Sequence, residues 1–432
     1  MAARILVKVQ VKFDGTNFND ISAYVTRASV RYGRKKLLDQ IGAGVATIEV
    51  DNSGGEFTPG HPGAAYGDSQ LINREIRISS EVVGGTDSYA TYLWRGFISD
   101  VDYRAGHQTS TVSITSIDGF DKLAKVDILD QTFTEAYSGV RVAEILDLAS
   151  VDYPDESSPL DRDIDLGYTK AIAASGVTAT ALDYLQKLAR TESGRLVVNH
   201  AGTPSATNFG GVLHFYARNA DSDDMGIIIS DSVTLSTGSA EAASLDLEWG
   251  SELLFNKYQY TDGSGVVATG TQSASVTKYG PRVHKQTLLS DSSYTTEAGT
   301  YFIGLYDEPT LRVSSVIVDV DSATTATAER LLHLHVNSAL SLSYLPPGSS
   351  TTLSGTYLVE GVNLAITVRD MATGSARIQA TYSTAPADTT GYWELGDAVT
   401  SVLPTILAPS WLDTSSWRLD DPDLSVLPTQ LG

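Results

Sequence analysis

The sequence contains no cysteine, which excludes disulfide bonds, thiolate metal sites and a cysteine nucleophile. No uncharged apolar run approaches the ~18 residues that indicate a membrane-spanning helix, so stable membrane insertion is not expected. Basic residues are scarce: 30 lysines and arginines stand against 52 acidic residues, giving a formal net charge of −22. This balance argues against sequence-specific nucleic-acid binding, which needs a basic surface.

The familiar local signatures of catalysis are missing as well. The sequence has no phosphate-binding loop, no Gly-x-Ser-x-Gly elbow and no His-Glu-x-x-His pair. His333 and His335 form a close pair, but residues two apart on a helix point to different faces. Asp161, Asp163 and Asp165 resemble the start of a calcium loop that lacks its glycine and its bidentate glutamate. We therefore predict no enzyme, no metal and no cofactor.

The length and the apolar content indicate a large globular protein. A chain of 432 residues is expected to form roughly three domains, and 42% hydrophobic residues argue against extended disorder. The sequence predicts a mainly β fold class, in an α+β multidomain protein. It comprises two small β-barrel domains, an α+β insert between them and a C-terminal arm.

Residues 1–127 carry strand signals and are predicted to form the first β-barrel domain. Near the amino terminus Val7, Val9 and Val11 alternate with polar residues, which is typical of a strand and not of a signal peptide. The one basic cluster, 31–36, is interpreted as a solvated loop. Gly96 interrupts the alternation of its strand and suggests a bulge or a sharp bend.

The pattern changes to helices and short strands over 128–244, the predicted insert domain. Apolar residues spaced three and four apart indicate a helix around 142–149, and a second helix follows from about 181 to 192. Residues 245–385 return to strand patterns and are predicted to form a second β-barrel domain. One helix, at 322–337, is expected to interrupt it.

The last segment, 386–432, contains an internal repeat. A Trp-x-Leu-x-Asp motif followed by Ser-Val-Leu-Pro-Thr-x-Leu returns 24 residues later with nine matching positions. Each copy is interpreted as a peptide whose Trp and Leu anchors fill a pocket. That pocket belongs either to the chain's own barrel or to another subunit or tail protein. The predicted partner-binding residues are Trp393, Leu395, Trp411, Trp417 and Leu419.

Several segments resemble, in the same order, the baseplate-hub or minor tail proteins of long-tailed, siphovirus-type bacteriophages. The helix–turn–strand at 181–196 is similar to that family's pattern, with Ser193 where the family tends to have a glycine. The other segments that carry the resemblance are 31–59, 94–98, 112–124, 252–257, 275–282 and 359–367.

The resemblance implies a structural hub at the distal end of the virion tail, made in the bacterial host cytoplasm. Three copies would place six barrels in a ring that adapts tail symmetry, closes or lines the channel and anchors other proteins. The implied partners are the chain itself as a homotrimer, the distal tail protein, the tape-measure protein and other minor tail or receptor-binding proteins.

Two other functions fit the sequence. A receptor- or glycan-binding tail protein could use some of the 21 tyrosines as sugar platforms, although β proteins are often tyrosine-rich for packing reasons. A hydrolase of the host envelope is the third hypothesis. Cell binding by the isolated protein would favour the receptor- or glycan-binding protein. Release of sugar from cell-wall material would favour the hydrolase.

Overall fold

The computed structural model divides the chain into two compact units, Met1–Pro386 and Ala387–Gly432. Strands account for 49% of the structure and helices for 19%, so the predicted mainly β class is confirmed. The residues described are 3–387, except for 15–16, 37, 63, 67–70, 87–90, 106–109, 155, 158–159, 201–210, 219, 231–237, 249–250, 310–311 and 346–352.

The amino-terminal segment forms strands because its apolar residues alternate with polar ones. In the first strand Ile5, Val7, Val9 and Val11 are at most 3% exposed, and the residues between them lie partly in solvent. A short 3-10 helix, Ser22–Tyr24, precedes the third strand. The segment contains β1 Ile5–Val11, β2 Asn19–Asp20, β3 Val25–Gly33, β4 Val45–Asp51, β5 Glu75–Val82, β6 Thr91–Ala105, β7 Ser110–Ile117 and α1 Phe120–Ala124.

The middle segment alternates helices with short strands, as the sequence predicts. The hydroxyl of Thr180 accepts the backbone N–H of Asp183 at 3.2 Å and caps the second helix. That helix ends at Ser193, which takes a left-handed φ of 59°. The elements are β8 Asp127–Phe133, β9 Ala136–Tyr137, α2 Ser138–Leu146, β10 Glu156–Ser157, β11 Leu160–Ile164, β12 Lys170–Ala171, β13 Ala174–Thr180, α3 Ala181–Glu192, β14 Arg195–Asn199 and β15 Val212–Tyr216.

The remaining strands and helices end with two long strands, of 18 and 12 residues. Between the last two helices lie one strand and a 3-10 helix, Val320–Ser322. The elements are β16 Asp223–Ser230, β17 Ser239–Glu241, β18 Ser244–Glu248, β19 Lys257–Thr261, β20 Val267–Thr271, α4 Ser273–Tyr279, β21 Val283–Thr287, α5 Ser292–Tyr306, β22 Arg312–Asp319, α6 Thr325–Leu332, β23 Ser338–Tyr344, β24 Leu353–Asp370 and β25 Ser375–Pro386.

Eight antiparallel strands pair with two neighbours each and close on themselves, in the order β3-β4-β7-β6-β5-β1-β25-β24. This closed circuit, here called the first ring, is the pairing pattern of a β-barrel. Its members include β24 and β25, which come from the far end of the sequence. The amino-terminal strands therefore do not close a ring by themselves.

A second ring is built on the other halves of the same two strands. It follows the order β16-β23-β24-β25-β22. The segment 239–248 closes it, because β17 pairs with β16 and β18 pairs with β22. With 18 residues, β24 can reach ~60 Å, long enough to serve both rings. We call β24–β25 the shared hairpin. The domain boundaries at 127, 244 and 385 stay predictions.

Residues 251–309 form a smaller layer, here called the module, in which β19 lies between β20 and β21. It has a core of its own, separate from the large core that the rings and the insert share. The expectation of a single helix within 245–385 is wrong, because α4 and α5 precede α6. Helix α5 contains Gly299 and Gly304 and lacks a clear apolar stripe. Its best sequence signal is Asp291, whose carboxylate accepts the N–H groups of Ser293 and Tyr294.

Two local expectations also need correction. The helix expected at 322–337 is shorter, Thr325–Leu332, and both histidines of the close pair follow its end. Gly96 is not itself the bulge. The pairing of β6 with β5 shifts its register between residues 78 and 79 of β5, and the pairing of β6 with β7 shifts between residues 98 and 100 of β6. A Cβ at Gly96 would lie 2.6 Å from the carbonyl oxygen of Ile117, so close packing accounts for the glycine.

Among the described residues, no helix is both long and apolar enough to span a membrane.

Candidate functional site

The five predicted anchors of the arm, Trp393, Leu395, Trp411, Trp417 and Leu419, lie outside the described residues. Their role as docking residues stays a prediction. What the structure places together instead are three polar clusters, two of them at the junctions between the first ring, the shared hairpin and the insert. None of them was identified from the sequence.

The first junction is a buried ion cluster centred on Glu360, here called the Glu360 cluster. Arg34 donates from Nε to Oε2 of Glu360 at 2.7 Å, and its Nη2 forms an ion pair with the same oxygen at 2.7 Å. Arg195 donates to Oε1 from Nε at 3.0 Å and from Nη2 at 2.6 Å. The Glu360 side chain is 2% exposed, so both arginines neutralise a carboxylate that is almost removed from water.

The electrostatics of Glu360 follow from this geometry. Burial alone raises the pKa of Glu360, because water no longer stabilises the charge. The charges of Arg195 and Arg34, with their hydrogen bonds, outweigh burial and lower the pKa to about 2. Glu360 is therefore ionised at neutral pH and holds the two arginines in place.

A β-bulge directs Glu360 into this position. The register of β24 against β25 shifts between Val359 and Gly361, leaving Glu360 as the extra residue. Gly361 pairs with Gly33 of β3, whose φ is 81°. A Cβ on Gly33 would lie 2.4 Å from the Glu360 carbonyl oxygen, and one on Gly361 2.4 Å from that of Arg34. Both glycines are thus required for the close strand crossing that carries the cluster.

The cluster joins three parts of the chain that are distant in sequence. Arg34 follows β3 of the first ring, Arg195 begins β14 of the insert, and Glu360 lies in the shared hairpin. Arg195 also donates to Asn337 at 3.4 Å, just before β23 of the second ring. The interpretation of 31–36 as a solvated loop is therefore wrong for Arg34. It suits Lys36, whose exposed ammonium pairs with Glu252 at the surface.

The second junction is a pocket around His200, which directly follows β14. The imidazole is fully buried. It stacks on Trp94 with 4.1 Å between the ring centroids and lies edge-on to Tyr32 with 4.9 Å between the centroids. Its Nδ1 accepts the backbone N–H of Arg95 at 3.2 Å, so the neutral ring carries its proton on Nε2. That nitrogen lies 3.8 Å from Oδ2 of Asp118. Burial lowers the pKa of His200, because the interior disfavours the imidazolium more than Asp118 stabilises it.

The third cluster contains two histidine–aspartate pairs, one within the second ring and one within the insert. Nε2 of His335 lies 2.8 Å from Oδ2 of Asp223, and Nδ1 of His214 lies 3.5 Å from Oδ2 of Asp163. The hydrogen bond with His335 lowers the pKa of Asp223, and the nearby His214 lowers that of Asp163. Asp161 and Asp163 of the calcium-like motif lie in β11, and Asp165 directly follows that strand. The described residues contain no group of three or more ligating side chains that could hold a metal.

The Glu360 cluster and the His200 pocket hold the insert and the rings in a fixed relation. None brings a nucleophile together with a general base and an oriented third group. Each instead uses charged or aromatic groups from elements far apart in sequence. The first two clusters thereby attach the insert to both rings.

No protein-family model matches the sequence, and no curated protein matches it. Two solved structures are similar in fold, each with a TM-score of 0.53. One is a tail protein from Neisseria meningitidis MC58, at 9% identity over 88% of this chain and 96% of that one. The other is the 43 kDa tail protein of prophage MuSo2 from Shewanella oneidensis, at 13% identity over 89% of this chain and 98% of that one.

The chain therefore has the fold of phage tail proteins. The resemblance drawn from short motifs is confirmed at the level of the fold. At 9% and 13% identity the likeness extends to the architecture and not to individual residues.

Proposed function

We propose that this chain is the structural hub of a phage tail-tip, or baseplate, complex. The observation that carries the proposal is the pair of strand rings built on one shared hairpin, in a chain with the fold of phage tail proteins. Because each subunit contains two rings, three copies present six rings. Such a trimer would match a six-fold tail above it and a three-fold tip below it.

The junction clusters support this role. A protein that joins parts of different symmetry must keep its two rings and its insert in a fixed relation while other proteins are bound to it. The Glu360 cluster ties both rings and the insert together through three charge-assisted hydrogen bonds and one further ion-pair contact. The His200 pocket adds a second attachment of the insert to the first ring.

The excess of acidic over basic residues supports a position in the tail channel. DNA and an extended tape-measure protein pass through a tail tip, and a net charge of −22 disfavours adhesion of DNA. On this proposal the channel-facing surface of the trimer is acidic. A basic channel surface would contradict that part of the proposal.

The partners follow from position in the particle. The hub would bind two further copies of itself, the distal tail protein above, the tape-measure protein within, and other minor tail or receptor-binding proteins at the rim. It would lie at the distal end of the virion tail and act through its interfaces, without catalysis.

Sedimentation velocity of the purified chain, followed by electron microscopy of the main species, tests the trimer. We expect a particle of three times the 46.0 kDa chain mass, seen end-on as a ring with six lobes. A monomer at every concentration, or a dimer with two-fold views, would contradict the proposed architecture.

A further inference from the structure

The module carries an open sheet face that the proposed function does not explain. Helix α5 covers one side of β20, β19 and β21, where Tyr258, Tyr260 and Ala298 form the small core. Side chains alternate along each strand, so every second residue points to the other side. Of the nine residues on that other side, seven are exposed and two are half-buried.

The chemistry of this face differs from that of the chain as a whole. It has no carboxylate, although the chain has 52 acidic residues. Its three rows of cross-strand neighbours are Thr271, Lys257 and Val283; Thr269, Gln259 and Lys285; and Val267, Thr261 and Thr287. We call these nine residues the threonine–lysine face.

The two lysines of the face are available to a partner. Lys36 and Lys278 elsewhere on the chain are paired with Glu252 and Glu308. Lys257 and Lys285, in contrast, have no carboxylate partner among the described residues. Val267 and Val283 are 49% and 44% exposed, so the face also presents apolar surface to solvent.

The strand edges beside the face are open as well. In the part of the chain that the structure describes, β20 pairs only with β19, and so does β21. Exposed edge strands are usually blunted by charge or proline, yet β20 reads Val-Ala-Thr-Gly-Thr and has neither. A free, uncharged edge next to an exposed, carboxylate-free face is the arrangement expected of a surface that another chain covers.

We infer that the threonine–lysine face is a subunit contact, covered by the acidic surface of a second copy of this chain. The inference rests on the proposed trimer and specifies where its subunits meet. Charge complementarity selects the occupant, because a copy with a net charge of −22 offers carboxylates to Lys257 and Lys285. The open edge of β20 would let the neighbour add backbone hydrogen bonds.

Charge substitution on the face tests this contact. Gln259→Glu and Thr269→Glu place negative charge in the central row, where it would meet the neighbour's carboxylates. Thr300→Glu is the matched control, because Thr300 is exposed on α5, in the other layer of the same module. Sedimentation equilibrium measures self-association, and thermal unfolding checks that each variant folds.

We expect wild type and the Thr300→Glu protein to trimerise alike, and the double face variant to associate at least tenfold more weakly. Raising the salt concentration should weaken the wild-type trimer, because screening reduces attraction between the lysines and carboxylates. A face variant that folds and trimerises like wild type overturns the inference and leaves the proposed hub intact. A monomeric wild type contradicts both. Loss of binding to the distal tail protein with an intact trimer assigns the face to that partner and also overturns the inference.

Discussion

Replacing Glu360 with alanine should destabilise the protein more than almost any other single polar substitution. Glu360 accepts three hydrogen bonds from two arginines whose side chains are only 15% and 14% exposed. Without the carboxylate, two guanidinium groups stay in a poorly hydrated junction with no counter-charge. Removing one partner from a buried ion pair costs about 3–5 kcal/mol, and two arginines are affected here.

The expected change in melting temperature follows from the size of the unit. Unfolding entropy is about 2.1 cal/mol/K per residue, so the unit Met1–Pro386 has a total unfolding entropy of about 0.8 kcal/mol/K. A loss of about 4 kcal/mol then lowers the melting temperature by about 5 °C, if the unit unfolds in one transition. Urea denaturation should show a lower midpoint of unfolding with an unchanged slope.

Lys36→Ala is the control for this prediction, since Lys36 lies in the same basic segment but pairs with Glu252 at the surface. The exposed pair should contribute little to stability, because water and salt screen its charges. Arg34→Met and Arg195→Met introduced together with Glu360→Met should recover much of the lost stability, because no uncompensated charge remains. If Glu360→Ala costs no more than Lys36→Ala, the cluster does not stabilise the junction and the reasoning fails.

Three further predictions concern a helix end, the histidines and the arm. Ser193→Gly should stabilise the protein by about 0.5–1 kcal/mol in urea denaturation, because glycine adopts the left-handed φ of 59° at the end of α3 without strain. The folded state holds the pKa of His200 below its ordinary value of 6.5 and that of His284 at about 4, chiefly through burial. The unfolded chain therefore takes up protons first, and stability should fall as the pH drops from 6.5 towards 4, less steeply in His200→Gln. Trp393→Ala with Trp417→Ala should leave the thermal unfolding of the rings unchanged and weaken assembly into tail tips.

Each of these predictions has a result that would contradict it. Ser193→Ala cannot relieve the left-handed strain, so an equal gain from alanine would argue against the explanation for glycine. A flat stability profile between pH 6.5 and pH 4 would mean that the two histidines do not destabilise the fold when protonated. Loss of soluble expression in the tryptophan variant would favour packing of the arm on its own chain.

A second loss of stability is expected at lower pH. The pKa of Glu360 is held at about 2, below its ordinary value of 4.5. Its contribution is present above pH 4.5 and disappears as the pH falls towards 2. The Glu360→Ala protein should lack this second decrease.

Local patterns predicted the elements that depend on neighbouring residues. The alternation of Val7, Val9 and Val11 identified β1, because one face of that strand packs against the core. Helix α3 was recognisable from its apolar spacing, its threonine cap and the turn at Ser193. In these cases local preference and the tertiary environment agree.

The junction clusters could not be predicted, because their members meet only in three dimensions. Arg34 and Glu360 are 326 positions apart, and no local pattern pairs them. The alternation predicts an ordinary outward side chain at Glu360, and the bulge between Val359 and Gly361 changes its direction. The available signal was a glycine beside each charged residue, Gly33 before Arg34 and Gly361 after Glu360, which indicates close backbone approach.

The sharing of strands between the rings was also out of reach. A strand as long as β24 looks in sequence like one element of one domain. Only the pairing of Ile5 with Ala376 and of Gly33 with Gly361 shows that the carboxy-terminal hairpin completes the first ring. Strand partners distant in sequence depend on global topology, which alternation does not encode.

The most direct test of the central claim is antibody labelling of intact phage particles, using serum raised against this chain and viewed by electron microscopy. A structural hub of the tail tip predicts label confined to the distal end of the tail. Label along the tail, on the head or absent from the particle would contradict the hub assignment.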